Sequence, residues 1–186
     1  MLTIIADADT AAAAILDQLT LPRLTNFIIG STPNMNNSLT QFLRRNPSLS
    51  NLTIYSFRHW VNAPRVEVTG LSASHLPNLT FLAAPDTWIR ALVPNSKISS
   101  VGIFWDLFNP FVEDIQRTYN ALGQSRTPIT TVSTSCRGWK PELVSRLMAY
   151  VPELQKLSIR NLDGDGSDPE GGHDISVSQL HARHIN

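Results

Sequence analysis

The chain has 186 residues, enough for one domain with a sizeable core, and its 42% hydrophobic and 16% charged residues are typical of a globular protein. Its 15 basic and 15 acidic side chains cancel, which argues against a nucleic-acid partner because such proteins usually carry a basic excess. One cysteine excludes an intrachain disulfide and favours a reducing compartment, and no apolar stretch approaches the length of a membrane span. We therefore expect an intracellular protein, cytoplasmic or nuclear, with no nucleic-acid or membrane partner.

Along the first part of the chain, helical stretches alternate with short apolar ones. Asp9 or Thr10 can cap a helix that runs through Leu19. Ser38–Gln41 fits a capping box for a second helix, and Pro47 ends that helix because proline cannot continue it. The same alternation continues further along.

In the second part, residues 56–75 are irregular, although Val66-Glu67-Val68 alternates like a short strand. Asp86 is expected to cap a short helix, and Pro110 at a first helical position begins the next one, which Gly123 ends. Pro141 opens a fifth helix in the same way. Five helical segments are thus predicted.

Between these helices the sequence repeats the pattern Pro-x-L-x-x-L-x-I, in which L is any large apolar residue. The clearest copies begin at Pro22, Pro47 and Pro152. The first apolar anchors of six copies, strong and weak, are Leu24, Leu49, Leu79, Ile98, Ile129 and Leu154. Their successive spacings are 25, 30, 19, 31 and 25 residues. Spacings of this size indicate a repeat architecture.

The L-x-x-L-x-L core is the pattern of leucine-rich repeats. Strand motifs that alternate with helices favour parallel strands joined by helical crossovers. We expect an α/β leucine-rich-repeat solenoid of the ribonuclease-inhibitor type, with parallel strands on the concave face and helices on the convex face. Residues 1–162 would form this domain, beginning inside a repeat because Leu2 lies 25 residues before Phe27. Residues 163–186 are expected to be a flexible tail.

In such a solenoid, the residues between the apolar strand positions line the concave face. Tyr55, Phe81 and Phe104 are predicted to form an aromatic stripe there, and with Lys156 and Arg160 they are the candidate partner-binding residues, because exposed aromatics anchor protein partners. The alternative is that the aromatics pack against the helices or the irregular residues 56–64. The other positions on this face are Asn26, Ile28, Asn51, Thr53, Ala83, Ser100, Gly102, Thr131, Ser133 and Ser158.

Several stretches resemble the repeat region of fungal, particularly mushroom-type, F-box proteins. They are Leu76-Pro77-Asn78-Leu79, Ile89–Pro94, Ser99-Ser100-Val101, Arg137–Leu143 and Pro152–Ile159, and the likeness covers roughly residues 16–162.

In that family an N-terminal F-box binds the adaptor of a cullin–RING ubiquitin ligase, and the repeats choose the substrate. The resemblance therefore implies a substrate-selecting repeat region with a protein partner. No F-box-like Leu-Pro-x-Glu segment precedes residue 20, so the adaptor is expected as a partner only if an F-box lies upstream in the native chain.

Motifs for other chemistry are incomplete. Residues 163–168 resemble the start of a calcium loop, but Asp168 stands where the sharp turn needs glycine. His181 and His184 complete no zinc signature, and Cys136 has neither a nearby histidine nor a phosphate loop after it. We expect no enzyme, no metal and no cofactor.

Two other functions stay open. One is a repeat scaffold unconnected with ubiquitin ligases. The other is an α/β enzyme without a recognised motif, which would show clustered titratable groups in a pocket.

Overall fold

The computed structural model describes residues 1–4, 9–56, 67–105, 112–136, 141–161 and 172–176. The strands in these ranges are β1 (Leu2–Ile4), β2 (Asn26–Ser31), β3 (Asn51–Ser56), β4 (Phe81–Pro85), β5 (Ser100–Phe104), β6 (Thr131–Cys136), β7 (Lys156–Asn161) and β8 (Gly172–Ser176). The helices in the same ranges are α1 (Asp9–Gln18), α2 (Asn36–Arg45), α3 (Asp86–Leu92), α4 (Val112–Gly123) and α5 (Pro141–Tyr150).

The strands form one sheet in which every strand lies beside its neighbours in sequence. Strands β1 to β7 are parallel, and β8 runs antiparallel to β7. Parallel crossovers are right-handed, so a strictly sequential order places all connecting helices on one face of the sheet. Accordingly α1 packs on α2, and α4 packs on both α3 and α5. The predicted α/β class with a parallel sheet is confirmed.

The register of the sheet follows the repeated motif. One row of mutually paired residues runs across the seven parallel strands and consists of Leu2, Phe27, Leu52, Leu82, Val101, Val132 and Leu157. These are the second apolar positions of the copies aligned in the sequence. The alignment therefore predicted the pairing correctly, although the repeats differ in length.

The core lies between the sheet and the helices. All six first anchors of the motif are buried, and Phe27 of β2 packs on Phe42 of α2 with ring centroids 4.8 Å apart. Leu16 of α1 and Ile89 of α3 are fully buried at the same interface. Each such side chain contributes roughly 1.5–3 kcal/mol before entropy is subtracted. Helix packing therefore depends on the apolar side of the sheet.

A column of main-chain hydrogen bonds links the strand entrances. The carbonyl oxygen of Thr25 accepts the N–H groups of both Ser50 and Asn51, at 2.9 and 3.0 Å. The carbonyl of Ser50 accepts two successive N–H groups of the next unit in the same way. Thr80, Ser99 and Thr130 repeat the arrangement, always directly after the first apolar anchor. This column was not predicted from the sequence.

Proline sets the turn that leads into several strands. Pro22 and Pro47 stand at the second position of turns closed by Leu24 N–H on Leu21 C=O and by Leu49 N–H on Asn46 C=O. This position suits the fixed φ of proline. Equivalent turns surround Pro77, Pro94 and Pro152. The prolines of the motif thus end a helix and also shape the entrance to the next strand.

Two helix starts differ from the prediction. Helix α2 begins at Asn36, so Ser38 lies inside its first turn, because a short 3-10 helix at Pro33–Met35 leads directly into it. Pro85 is the residue before α3, and the carboxylate of Asp86 points into the structure toward Arg90 instead of capping the helix. Helix α1 ends one residue before the predicted Leu19, α4 ends at Gly123 as predicted, and α5 begins at Pro141 as predicted. The predicted first helical position of α4, Pro110, lies outside the described residues.

The strand β8 was not predicted, since Gly172–Ser176 was assigned to the C-terminal tail. It pairs with the outer edge of β7, from Lys156 opposite Ser176 to Arg160 opposite Gly172. The edge of β7 carries N–H and C=O groups that need partners, and this return strand supplies them.

On the face of the sheet opposite the helices, there is no room for a side chain at Gly102. A Cβ atom on Gly102 would lie 2.9 Å from the Cβ of Ala83 and 3.1 Å from the Oγ of Ser133. Neighbouring strands are about 4.8 Å apart at the backbone, so the side chains of β4, β5 and β6 converge on this face. Only glycine fits between Ala83 and Ser133.

We expect the substitution Gly102→Val to destabilise the fold by roughly 1–3 kcal/mol, because the added side chain overlaps Ala83. Strand propensity alone predicts that the same substitution stabilises the fold, since valine favours strands. Urea unfolding followed by circular dichroism measures the change. Ser133→Ala on the same face is the matched control, with an expected change within about 0.5 kcal/mol. A Gly102→Val protein with wild-type stability would contradict the close approach of these strands.

Candidate functional site

The face of the sheet away from the helices is called here the polar face. On β2 to β7 it comprises three rows of residues, which run across the strands because paired residues lie side by side. The amino-end row is Asn26, Asn51, Phe81, Ser100, Thr131 and Lys156. The middle row is Ile28, Thr53, Ala83, Gly102, Ser133 and Ser158. The carboxyl-end row is Gly30, Tyr55, Pro85, Phe104, Ser135 and Arg160.

Two aromatic rings stack in the carboxyl-end row. Tyr55 of β3 and Phe104 of β5 have ring centroids 5.3 Å apart and an interplanar angle of 25°. Their strands are separated by β4, so their backbones are roughly 10 Å apart and the two side chains meet across that strand. Tyr55 is 48% exposed and Phe104 is half-buried. The pair forms an apolar platform at the carboxyl end of the polar face.

Phe81 does not join this pair. It lies at the amino end of β4, level with Asn51 and Ser100, and is half-buried. Four residues, or about 13 Å, separate it along the strand from the carboxyl-end row. The predicted stripe of three aromatics is therefore wrong, since its members belong to two different rows. The alternative of packing against the helices is also wrong for Tyr55 and Phe104, which lie on the opposite face, and residues 57–64 lie outside the described part.

The two predicted basic residues mark opposite ends of β7, and both are exposed. Lys156 shares the amino-end row with Phe81, and Arg160 shares the carboxyl-end row with Tyr55 and Phe104. The pairing with β8 places Asp174 opposite Ser158, between these two basic positions. Three of the five candidate residues therefore fall in one row, and the other two fall in another.

The side-chain amides of Asn26 on β2 and Asn51 on β3 form a hydrogen-bonded pair that was not predicted from the sequence. Asn51 Nδ2 donates to Asn26 Oδ1 at 2.6 Å, and Asn26 Nδ2 donates to the hydroxyl of Thr25 at 3.0 Å. The signal was present in the sequence, because the two asparagines occupy equivalent positions 25 residues apart. The bond orients both amides along the amino-end row.

A cluster of charged groups lies on the helix side. Arg90 of α3 contacts Asp86 at 2.9 Å, Glu67 at 2.8 Å and Asp114 of α4 at 3.9 Å. Asp86 is fully buried, and the Arg90 side chain is 13% exposed. Burial of carboxylates requires a paired cation. The cluster connects α3, α4 and the residue Glu67, and it lies behind the sheet, away from the polar face.

Metal and cofactor sites were not expected. Among the described residues no group of three or more His, Cys, Asp or Glu side chains is placed to hold a metal ion. Residues 163–168, His181 and His184 lie outside those ranges, and of Cys136 only the position at the end of β6 is described. In the same ranges no helix has the length and apolar character needed to cross a membrane.

The chain matches no protein-family model and no curated protein. The polar face and its aromatic pair are therefore interpreted from their own chemistry.

We expect Arg90→Leu to reduce the free energy of unfolding by about 3–5 kcal/mol, because it removes the guanidinium that contacts the buried carboxylates of Asp86 and Asp114. Glu67→Gln removes a contact to a side chain that is 59% exposed, and it should cost less than about 1 kcal/mol. Urea unfolding of both variants measures the two changes. If the two variants lost the same free energy of unfolding, the buried contacts of Arg90 would contribute no more than its contact with the exposed Glu67.

Proposed function

We propose that this chain is a protein-recognition module whose polar face binds a protein partner around Tyr55 and Phe104. The observation that carries the proposal is the stacked pair of Tyr55 and Phe104 on a hydrogen-bonded sheet, with nearly half of Tyr55 exposed. Aromatic side chains bury a large area at low entropic cost and dominate the energetics of many interfaces. Arg160 in the same row adds a charge that can orient the partner.

We further propose that the fold is a leucine-rich-repeat solenoid. Sequential parallel strands, helices on one side and a hydrogen-bond column repeated from unit to unit support this. The convergence of side chains at Gly102 supports curvature toward the polar face, which would then be concave. A concave sheet presents many side chains toward one partner.

The finer proposal is that the chain is the substrate-selecting part of an F-box-type ubiquitin ligase receptor. The resemblance of its repeats to those of fungal F-box proteins supports it. A scaffold without a ligase connection has the same polar face, so the identity of co-purified proteins distinguishes the two. The charged cluster around Arg90 does not favour an enzyme, because it lies on the helix side with its carboxylates held by the guanidinium.

We expect Tyr55→Ala and Phe104→Ala each to weaken binding of the captured partner by about tenfold or more, since either change removes the platform. The control is Ile15→Ala on α1, because Ile15 is 49% exposed and Tyr55 is 48% exposed. Surface plasmon resonance with the purified partner measures the affinities. Equal effects of the Tyr55 and Ile15 substitutions would contradict the assignment of the polar face.

We expect affinity capture of the native protein to bring down the cullin–RING adaptor together with a substrate, if the native chain carries an F-box. Mass spectrometry of the captured material identifies both and gives the length of the native chain. Partners without the adaptor would contradict the ligase proposal and leave a recognition scaffold.

A further inference from the structure

We propose that a groove at the amino ends of β4, β5 and β6, called here the entrance groove, binds a phosphate monoester. The groove is lined by parts of residues 72–77 and 94–97 and by Arg126, which belong to the turns that lead into these strands. Its volume is about 420 Å³, within the roughly 300–1,000 Å³ of small-molecule sites. Tyr55 and Phe104 lie at the opposite ends of the strands, so this inference goes beyond the recognition function and does not depend on it.

Two basic side chains, Lys97 and Arg126, line the entrance groove, and both are exposed. Within the described part of the chain no acidic residue lines the groove, and neither basic side chain forms an ion pair or a hydrogen bond. Glu153 borders a smaller neighbouring groove together with Arg126, but the two side chains are not paired. Because a cleft lined by charge of one sign attracts the opposite charge, the expected ligand is an anion.

The backbone holds the two basic residues on adjoining turns. The N–H of Arg126 donates to the carbonyl of Ser96, the residue before Lys97, at 2.9 Å. The hydroxyl of Ser125 donates to the same carbonyl at 3.3 Å and to that of Ile98 at 3.0 Å. Ser96 is buried, and its Oγ accepts the N–H of Ile98 at 3.1 Å. Since these turns are already fixed to each other, an anion that contacts both cations does not have to order the backbone.

Hydroxyl and amide groups add uncharged donors to the entrance groove. The Oγ atoms of Ser72 and Ser74 are 2.9 Å apart, and either hydroxyl can donate to the other. The Nδ1 atom of His75 accepts the N–H of Ser72 at 3.2 Å, so the Ser72 hydroxyl can donate to Ser74 instead. The Ser74 hydroxyl can then donate to a ligand oxygen. Asn95 is exposed and contributes a side-chain amide.

Two cations with several donors match a phosphate monoester better than a carboxylate. A phosphate monoester carries a charge of about −1.5 to −2 at pH 7 and has three strong acceptor oxygens. The guanidinium of Arg126 can bind two of these oxygens through parallel N–H groups, and Lys97 acts as a point charge. A carboxylate has one negative charge, which would leave one cation uncompensated. Pro77 and Pro94 provide apolar edges for the body of the ligand.

The first test is an amide-resolved NMR titration of the full chain with phenyl phosphate and with phenyl sulfate. The two probes have the same shape, but the sulfate carries a single negative charge. At about 0.15 M salt, which screens weak surface attraction, we expect phenyl phosphate to bind at least about fivefold more tightly. The amide signals of Ser96, Lys97 and Arg126 should shift. Equal affinities of the two probes, or shifts only elsewhere, would overturn the inference.

The second test uses substitutions of the two cations. Lys97→Ala and Arg126→Ala should each weaken binding of phenyl phosphate at least about tenfold, because each removes a charge-assisted contact. Both side chains are exposed, so the thermal melting curves should be retained. The matched control is Arg23→Ala, since Arg23 is also exposed and precedes Leu24 as Lys97 precedes Ile98. A loss of affinity in Arg23→Ala as large as in Lys97→Ala would mean general charge attraction and would contradict a site.

A third variant tests the groove without removing a cation. Ser74 is exposed, so Ser74→Glu should leave the fold intact while placing a carboxylate against the phosphate. We expect binding of phenyl phosphate to fall at least about tenfold, and to fall much less in Ser74→Ala. Unchanged binding in Ser74→Glu would show that the phosphate does not enter the entrance groove.

A short alanine-flanked phosphoserine peptide distinguishes the two sources of a phosphate monoester. If this peptide binds at least about tenfold more tightly than phenyl phosphate, the phosphate is carried by a protein. If phenyl phosphate binds as tightly or more tightly, the ligand is a small molecule. If neither probe binds, the inference is wrong, whereas the recognition function still depends on the separate test of Tyr55→Ala.

Discussion

The structure depends on the side-by-side pairing of its parallel strands, fixed at the strand entrances by a carbonyl that accepts two N–H groups from the next unit. These bonds join residues that are close in space but 19 to 32 residues apart in sequence. Because each unit is held only by its neighbours, stability spreads along the sheet.

Unequal repeat lengths do not disturb this pairing. The shortest repeat, from Leu82 to Val101, contains α3, and the longest, from Val101 to Val132, contains α4 with a longer connection. The extra residues lie between the strand of one unit and the strand of the next. A longer connection there costs little additional loop-closure free energy. The strand motif itself keeps its length, since every second side chain must reach the core.

The one-sided placement of the helices has a functional consequence. In the described part of the chain the helices pack on one face only, and on the other face Tyr55 is exposed whereas Ala83 and Gly102 are buried. The aromatic pair joins β3 and β5, which are not neighbours, across the intervening strand β4. On the helix side, Arg90 holds two carboxylates between α3 and α4, which specifies how those helices meet.

The sequence by itself determined the class of fold, the strand register and which side chains face the core, because these follow from the period-two pattern and its spacing. It also placed Tyr55, Phe104 and Arg160 on one face. Tertiary structure alone decided that Tyr55 and Phe104 stack while Phe81 stands apart, since this depends on position along neighbouring strands. The same holds for the contact of Arg90 with Asp114 and for the return of β8 to β7. Local pattern fixes the direction of a side chain, whereas its partners depend on residues that only the packed chain brings near.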